Sequence, residues 1–283
     1  MILAPLRGVT VRCFRRTFAA EIAEAGFTEA VTPFVAANAG ADPLKDRELK
    51  PDASEGQLPF SVTPQFIGKD PAALRRSLER VKGAGYGFAD LNCGCPFPMV
   101  RKKGRGSGLM RTPDVLARML EAGCEVMGER RFSVKTRLGI ERTDELVALA
   151  PLLNSFPLRR VAVHARTARQ MYEGECDWAA FRDFEAASAN PVVRNGGDEM
   201  PEAGGADVMV GRPFVRHLGW RADAGELLER YAAASLAELR SDRAALGRMK
   251  ELLAYWREIP RWRAAWRAAK MSRSLAEFMT CLK

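Results

Sequence analysis

Eight short apolar runs, spread over the first 210 residues and alternating with helix-like stretches, restrict the fold of this chain more than any other feature. They cover residues 2–6, 28–35, 61–67, 88–92, 132–137, 160–164, 191–195 and 206–210. Each is bounded by Gly, Pro, Asn or Arg, as strands buried on both faces of a parallel sheet tend to be. Helical patterns fall at 13–25, 71–84, 113–127, 143–154 and 178–187, and Asp70-Pro71 and Thr112-Pro113 read as N-caps followed by a first-turn proline. The pattern predicts an α/β fold, a (β/α)8 TIM barrel. A doubly wound open sheet is the alternative, and the absence of G-x-G-x-x-G after the first run weakens its dinucleotide-binding version. Only about eight residues, with Pro201 and Gly204-Gly205 among them, separate Gly197 from the last run, so the seventh helix is expected to be one turn or missing.

The pattern changes near Arg221. Strand-like runs stop, and 222–234, 236–259, 260–270 and 272–282 read as helices, with Pro260 opening one because an interior proline removes a helical hydrogen bond. The expected organisation is a barrel domain over 1–218 and a C-terminal all-α helical domain over 219–283. Leu252, Leu253, Tyr255, Trp256, Ile259, Trp262 and Trp266 recur at helical spacing and read mainly as core. Between Arg248 and Arg273 eight basic residues meet only two acids, Glu251 and Glu258. The whole chain carries 44 Lys and Arg against 35 Asp and Glu, a formal charge of +9. That surplus suits a polyanion such as nucleic acid and suits a merely solvated basic surface equally well. No apolar run approaches the ~20 residues of a membrane span. The amino-terminal stretch has no basic-then-apolar leader pattern.

Chemistry concentrates where the strand-like runs end. Asp90-Leu91-Asn92-Cys93-Gly94-Cys95-Pro96 closes the fourth run, on what is the catalytic face of such a barrel. The following Lys102-Lys103-Gly104-Arg105-Gly106-Ser107-Gly108 is expected to be an exposed loop. A thiol there can serve as nucleophile or as proton donor. A buried structural cysteine or half of a metal site are the other readings, and C-x-C without a second ligand pair is poor zinc spacing. The chain's two histidines, His164 and His217, exclude a three-histidine metal site. Its six dispersed cysteines do not suggest a disulfide framework. Gln65, Lys135 and His164 can reach the polar edge of a cofactor ring. Asn195-Gly196-Gly197 and Gly211-Arg212, after the seventh and eighth runs, suit a phosphate. A cofactor bringing its own redox chemistry accounts for the scarcity of acid–base side chains.

Taken in order, several of these pieces resemble the tRNA-dihydrouridine synthases, most closely the bacterial C-type subgroup. They are Ala4-Pro5-Leu6-Arg7-Gly8-Val9-Thr10, the D-L-N-x-G-C-P segment from Asp90 to Pro96, Lys135-Thr136-Arg137-Leu138-Gly139 and Val163-His164-Ala165-Arg166-Thr167. Gln170, Tyr172, Gly174, Asp177-Trp178, Asn195-Gly196-Gly197 and Gly211-Arg212 follow. The resemblance spans residues 1–215 and continues more weakly through the tail, where 248–256 is similar to a basic helix of the C-type members. It implies an FMN-bound barrel with a helical domain that holds tRNA. NADPH reduces the flavin, and the C5–C6 double bond of a D-loop uridine, uridine 16 for the C-type subgroup, is then reduced. On that likeness Cys95 protonates C5 and Cys93 is a bystander. Pro5, Leu6 and Arg7 line the flavin, and Gln65, Lys135 and His164 contact its ring. Asn195, Gly196, Gly197, Gly211 and Arg212 hold its phosphate region. Asn92 and Arg166 lie in the same pocket, and Arg257, Arg261 and Arg267 contact tRNA. Leu6 departs from the family's usual methionine.

Two further readings remain beside this one. One is an FMN barrel reducing a free pyrimidine or small enone, and the other is an RNA-binding relative without flavin. A metal-dependent hydrolase barrel lacks the clustered His and carboxylate ligands it needs. A cytoplasmic monomer with no metal, membrane or obligate protein partner is expected.

Overall fold

The computed structural model describes residues 1–49, 57–201 and 208–282. Its strands are β1 (Ile2–Leu3), β2 (Glu29–Val31), β3 (Val35–Ala36), β4 (Ser61–Thr63), β5 (Gln65–Ile67), β6 (Ala89–Asn92), β7 (Phe132–Gly139), β8 (Val161–Thr167), β9 (Val192–Asn195) and β10 (Val208–Val210). All pair in parallel, in the order β3-β5-β6-β7-β8-β9-β10-β1-β2-β4. The two ends of that order are halves of the same strands. Pro33 and Pro64 cannot donate to a ladder, so each run breaks at its proline and resumes beyond it. The Thr32 N–H donates to the Thr63 carbonyl and the Gln65 N–H to Thr32 Oγ1, both at 3.0 Å, which carries the pairing across the break. Joining the halves gives eight barrel strands and a closed TIM barrel, as the alternating pattern predicts.

Helices cover the outside. The predicted 13–25 helix is two, α1 (Arg12–Thr17) and α2 (Ala19–Glu24), broken at Phe18. Next come α3 (Pro71–Gly83), α4 (Pro98–Arg101) and α5 (Pro113–Met127). Asp70 Oδ1 accepts from the N–H groups of Ala72 and Ala73 and caps α3. Thr112 instead donates its hydroxyl back to the Leu109 carbonyl, so it does not cap α5 with its side chain. The predicted 143–154 helix divides into α6 (Glu145–Ala148) and α7 (Ala150–Asn154), with Pro151 at the start of the second. After α8 (Trp178–Ala187), residues 196–201 contain no helix, and Gly204-Gly205 of the shortened seventh crossover lie outside the described residues.

After the last strand come α9 (Arg212–Trp220), α10 (Ala224–Leu239), α11 (Asp242–Trp256), α12 (Pro260–Ala269) and α13 (Leu275–Thr280). The break expected at residue 235 falls instead at Arg240, which turns left-handed (φ 50°). Ser241 then caps α11 by accepting from the Ala244 N–H. The predicted 236–259 helix ends at Trp256, and Ile259 caps α12. One apolar cluster runs from Met1, Leu3 and Phe14 through Phe214, Tyr231 and Trp256 to Phe278. The amino-terminal barrel wall and the tail therefore share a core. No described helix is long and apolar enough to cross a membrane.

Candidate active site

A cavity of about 1620 Å³ opens at the carboxyl ends of the barrel strands. Its first wall is the turn after β1. Thr10 Oγ1 accepts from the Leu6 N–H at 2.7 Å and donates to the Ala4 carbonyl at 3.0 Å, tying Pro5, Leu6 and Arg7 into a turn that faces the cavity.

The second wall follows β6. Asn92 Oδ1 accepts from the N–H groups of Gly94 and Cys95, at 3.2 and 2.9 Å, and folds the chain into a tight turn with Cys95 on the cavity surface. Gly94 lies so close to β7 that a Cβ there would stand 3.2 Å from the Thr136 carbonyl carbon. Arg137 Nε donates to the Gly94 carbonyl at 2.9 Å. From outside, Ser107 donates its Oγ–H to the Cys95 carbonyl at 2.9 Å, and a Cβ on Gly106 would sit 2.7 Å from that of Cys95. The expectation of an exposed loop over 102–108 is therefore corrected. Lys102 and Lys103 are exposed, but Gly106, Ser107 and Gly108 are buried in a 3₁₀ turn over Gly106–Arg111 that buttresses the cysteine.

Burial pushes the Cys95 thiol up from its ordinary value, against the pull of the Phe97 backbone N–H and the charges of Arg137, Arg7 and Lys135. Burial thus favours the thiol over the thiolate. Cys93 is 1% exposed, belongs to the apolar core and lies away from the cavity lining. Burial, with Asp90 beside it, raises its thiol pKa further still.

The third wall is cationic. Lys135 Nζ donates to Asn195 Oδ1 at 2.8 Å, and Asn195 Nδ2 donates to the Met209 carbonyl at 2.8 Å. Burial lowers the Lys135 ammonium to about 8, Arg137 adds to this, and Asp90 and Cys95 oppose it. His164 Nε2 lies 3.2 Å from Arg166 Nη1. A guanidinium only donates, so Nε2 accepts and the ring proton sits on Nδ1. Burial first, then Arg137 and Lys135, hold this imidazole neutral. Arg166 is buried behind His164 and donates to the Gly174 carbonyl, outside the lining itself.

Gly196 (φ 118°) leaves room that a Cβ would fill, 2.8 Å from Cys176 Sγ and 2.9 Å from the His164 ring. The Gly197 N–H donates to Cys176 Sγ at 3.2 Å. Gly211 packs on Ala4 and Leu6, and α9 begins at Arg212; Pro213 has no N–H and the Val215 N–H donates to the Gly211 carbonyl, which leaves Arg212 and Phe214 as the donors of the first turn. Arg212 stands over the Tyr172 ring, as Arg137 does, at 5.6 and 5.4 Å.

Some sequence candidates lie elsewhere. Gln65 is fully buried one layer beneath the cavity, bonded to Asp90 and Asn92. Arg261 donates to the Gly219 and Arg221 carbonyls at the end of α9, and Arg257 pairs with Glu258. Arg267 is exposed. None of these three arginines lines the cavity. Sequence reasoning gave no site role to Arg137, although it marked the Lys135-Thr136-Arg137 strand end, nor to Arg194, Glu251 and Tyr255, and all four line the cavity. Arg137 was within reach, since a period of two places it on the same strand face as Lys135. Tyr255 reads as core from its helical spacing, and its place in the wall depends on how α11 crosses the barrel mouth.

The family description "Dihydrouridine synthase (Dus)" matches residues 2–216. A "Probable tRNA-dihydrouridine synthase" of Rhodobacter capsulatus is 32% identical over 75% of this chain and 66% of its own length. "tRNA-dihydrouridine synthase B" of Vibrio cholerae is 30% identical over 75% and 67%. "tRNA-dihydrouridine(16) synthase" of Ralstonia nicotianae is 29% identical over 76% and 69%. The match thus spans about two thirds of each curated relative. Among solved structures, an old yellow enzyme homologue from Zymomonas mobilis superposes with a TM-score of 0.54 at 11% identity, over 76% of this chain and 85% of its own, a likeness of fold. With the family match covering all eight barrel strands, the chain belongs to the dihydrouridine synthase family.

Proposed function

We propose that this protein is an FMN-dependent tRNA-dihydrouridine synthase that reduces the C5–C6 double bond of a D-loop uridine, with uridine 16 as the position. The observation that carries the reading is the position of Cys95 on the wall of a cavity that also holds Lys135, Arg137 and Arg212 at the start of α9. The donor set fits FMN. Arg212, at the start of α9, suits its phosphate, Gly196 and Gly211 keep the backbone close, and Pro5 and Leu6 offer an apolar wall for its ring. Lys135, held by Asn195, would meet the polar edge of the ring, with neutral His164 on the same cavity wall.

When bound, FMN would supply the hydride chemistry between NADPH and uridine C6. Cys95 Sγ holds the proton that C5 requires and gives it up beside the cationic wall, where Arg137, Arg7 and Lys135 stabilise the thiolate left behind. Asn92, itself part of the cavity lining, fixes the turn that carries the thiol. Arg137 locks the Gly94 carbonyl and keeps the turn closed. On the tail, Arg263, Arg267, Lys270 and Arg273 are exposed and suit a phosphate backbone, and tRNA modification of this kind belongs in the cytoplasm.

The test is the visible spectrum of the purified protein, its anaerobic reduction by NADPH, and reoxidation by unmodified tRNA with dihydrouridine mapped by mass spectrometry. A flavin band that bleaches and recovers faster with tRNA, with dihydrouridine at position 16, is expected. A protein that takes up no FMN and still binds tRNA overturns the reading.

A further inference from the structure

Asp90 is fully buried on β6, outside the cavity lining, and no step above uses it. Its Oδ1 accepts from Gln65 Nε2 at 2.8 Å. Gln65 Oε1 accepts from Asn92 Nδ2 at 2.8 Å. Asn92 Oδ1 accepts from the Cys95 N–H at 2.9 Å and the Gly94 N–H at 3.2 Å. The direction of every amide follows from the two ends. Backbone N–H groups only donate, so Asn92 must turn its oxygen to them and its NH₂ to Gln65. Gln65 must then turn its oxygen to Asn92 and its NH₂ to Asp90, and a carboxylate only accepts. Turning over either amide sets two donors or two acceptors face to face. Asp90 and Gln65 are both 0% exposed, so bulk water is not there to relieve the mismatch.

We propose that Asp90 is a positioning residue for Cys95, acting from inside the barrel through Gln65 and Asn92 to hold the thiol-bearing turn in one conformation. The strand pairing supports this. Gln65 stands directly opposite Asp90 in the β5–β6 ladder, so the carboxylate and the first amide are fixed by backbone register and not by loop conformation. The reactive turn is thus referred to the rigid sheet by side chains one layer below it. The catalytic meaning of this device rests on the reading of Cys95 as the acid, whereas the device itself does not.

Asp90→Asn keeps the size of the side chain and an acceptor oxygen but removes the rule that only acceptors stand there. Gln65→Met cuts the relay in the middle. Iodoacetamide is applied to the protein as purified, and alkylation at each cysteine is followed by peptide mass. Cys124, partly exposed on α5 and outside the cavity lining, is the internal reference. Each variant is expected to raise the Cys95-to-Cys124 rate ratio about fivefold, the weight of one lost hydrogen bond. The double variant is expected to go no further than Gln65→Met. On tRNA, kcat falls and KM stays.

An unchanged ratio, both cysteines accelerating together as general loosening would cause, or additive effects in the double variant would each overturn the positioning role. If Gln65→Met does not fold, the ratio for Asp90→Asn decides alone. The ratio needs no turnover. A wild-type chain that forms no dihydrouridine therefore overturns the proposed reaction, whereas an unchanged ratio overturns the relay.

Discussion

Two cysteines two positions apart have opposite surroundings, and the difference is testable by replacement. Cys95→Ala should keep bound FMN and lose roughly 10²-fold or more in turnover, the usual weight of a positioned acid. Cys93→Ala, a core change away from the cavity, should keep turnover at a modest cost in stability. Equal loss of activity in both would break the assignment. Acid stability is set lower in the barrel, where Glu29 accepts from Arg159, Arg160 and Thr63. Burial raises the Glu29 carboxyl, but the Arg160 hydrogen bonds and charge, with Thr63 and Arg159, outweigh it and hold the group at about 2. Because its folded value is depressed, Glu29 contributes stability above about pH 4.5 that is lost as pH falls toward 2, on the order of 3 kcal/mol. Asp90 has the opposite sign. Burial raises it to about 6, so protonation favours the folded state as pH falls through that value. Urea midpoints against pH should show a shallow gain near pH 6 that Asp90→Asn removes. The fall below pH 4.5 should disappear in Glu29→Gln, which leaves two arginines without their carboxylate and weakens the protein at pH 7. Cys95, Lys135 and His164 were legible in sequence because strand ends and chemistry coincide there. Gln65 was legible as polar but not as buried, since its depth depends on where Pro64 breaks the strand.

Elements were legible where periodicity and punctuation agreed, as in the 113–127 and 178–187 helices, whose bounds match α5 and α8. They were missed where a turn is set by tertiary packing. The 13–25 pattern is one amphipathic face, yet Phe18 leaves helical geometry as it packs against Phe14 and Tyr231. Arg240 has no helix-stopping residue type, and its left-handed turn is imposed by the antiparallel return of α11 against α10. The joint between α9 and α11 has a sharper test. Trp256 Nε1 donates to the Val215 carbonyl at 2.6 Å, and its ring fills the space beside Gly219. Trp256→Phe should cost about 1–2 kcal/mol from an unmet buried acceptor and lost ring area, read as a lower melting temperature. In the cavity wall, Gly196→Ala combines a strained φ with a clash against Cys176 and His164. It should cost about 2 kcal/mol and weaken flavin retention more than it weakens the fold.

Across the whole molecule the basic tail divides by function. Of the eight cations between Arg248 and Arg273, Arg248 pairs with Glu238, Lys250 donates to the Ser272 carbonyl, and Arg261 closes the end of α9. Composition counted these with the rest because charge in a sequence carries no direction. Neutralising Arg263, Arg267, Lys270 and Arg273 should weaken tRNA binding and lower the log–log salt slope by about 0.7–0.9 for each phosphate that the protein no longer neutralises. Arg261→Ala should lower the melting temperature and leave that slope alone. A slope untouched by the four exposed changes would move RNA binding off this face. The shared core carries a further consequence, for synthesis. α1 packs on α10, which is made long after it, and Cys13 meets Ser235 across 222 positions of sequence. At ~5–20 residues per second the ribosome supplies that partner only tens of seconds later. Phe14 and Phe18 must wait exposed, or held by a chaperone, until Tyr231 and the rest of α10 emerge, so this wall of the barrel closes long after its own residues are made.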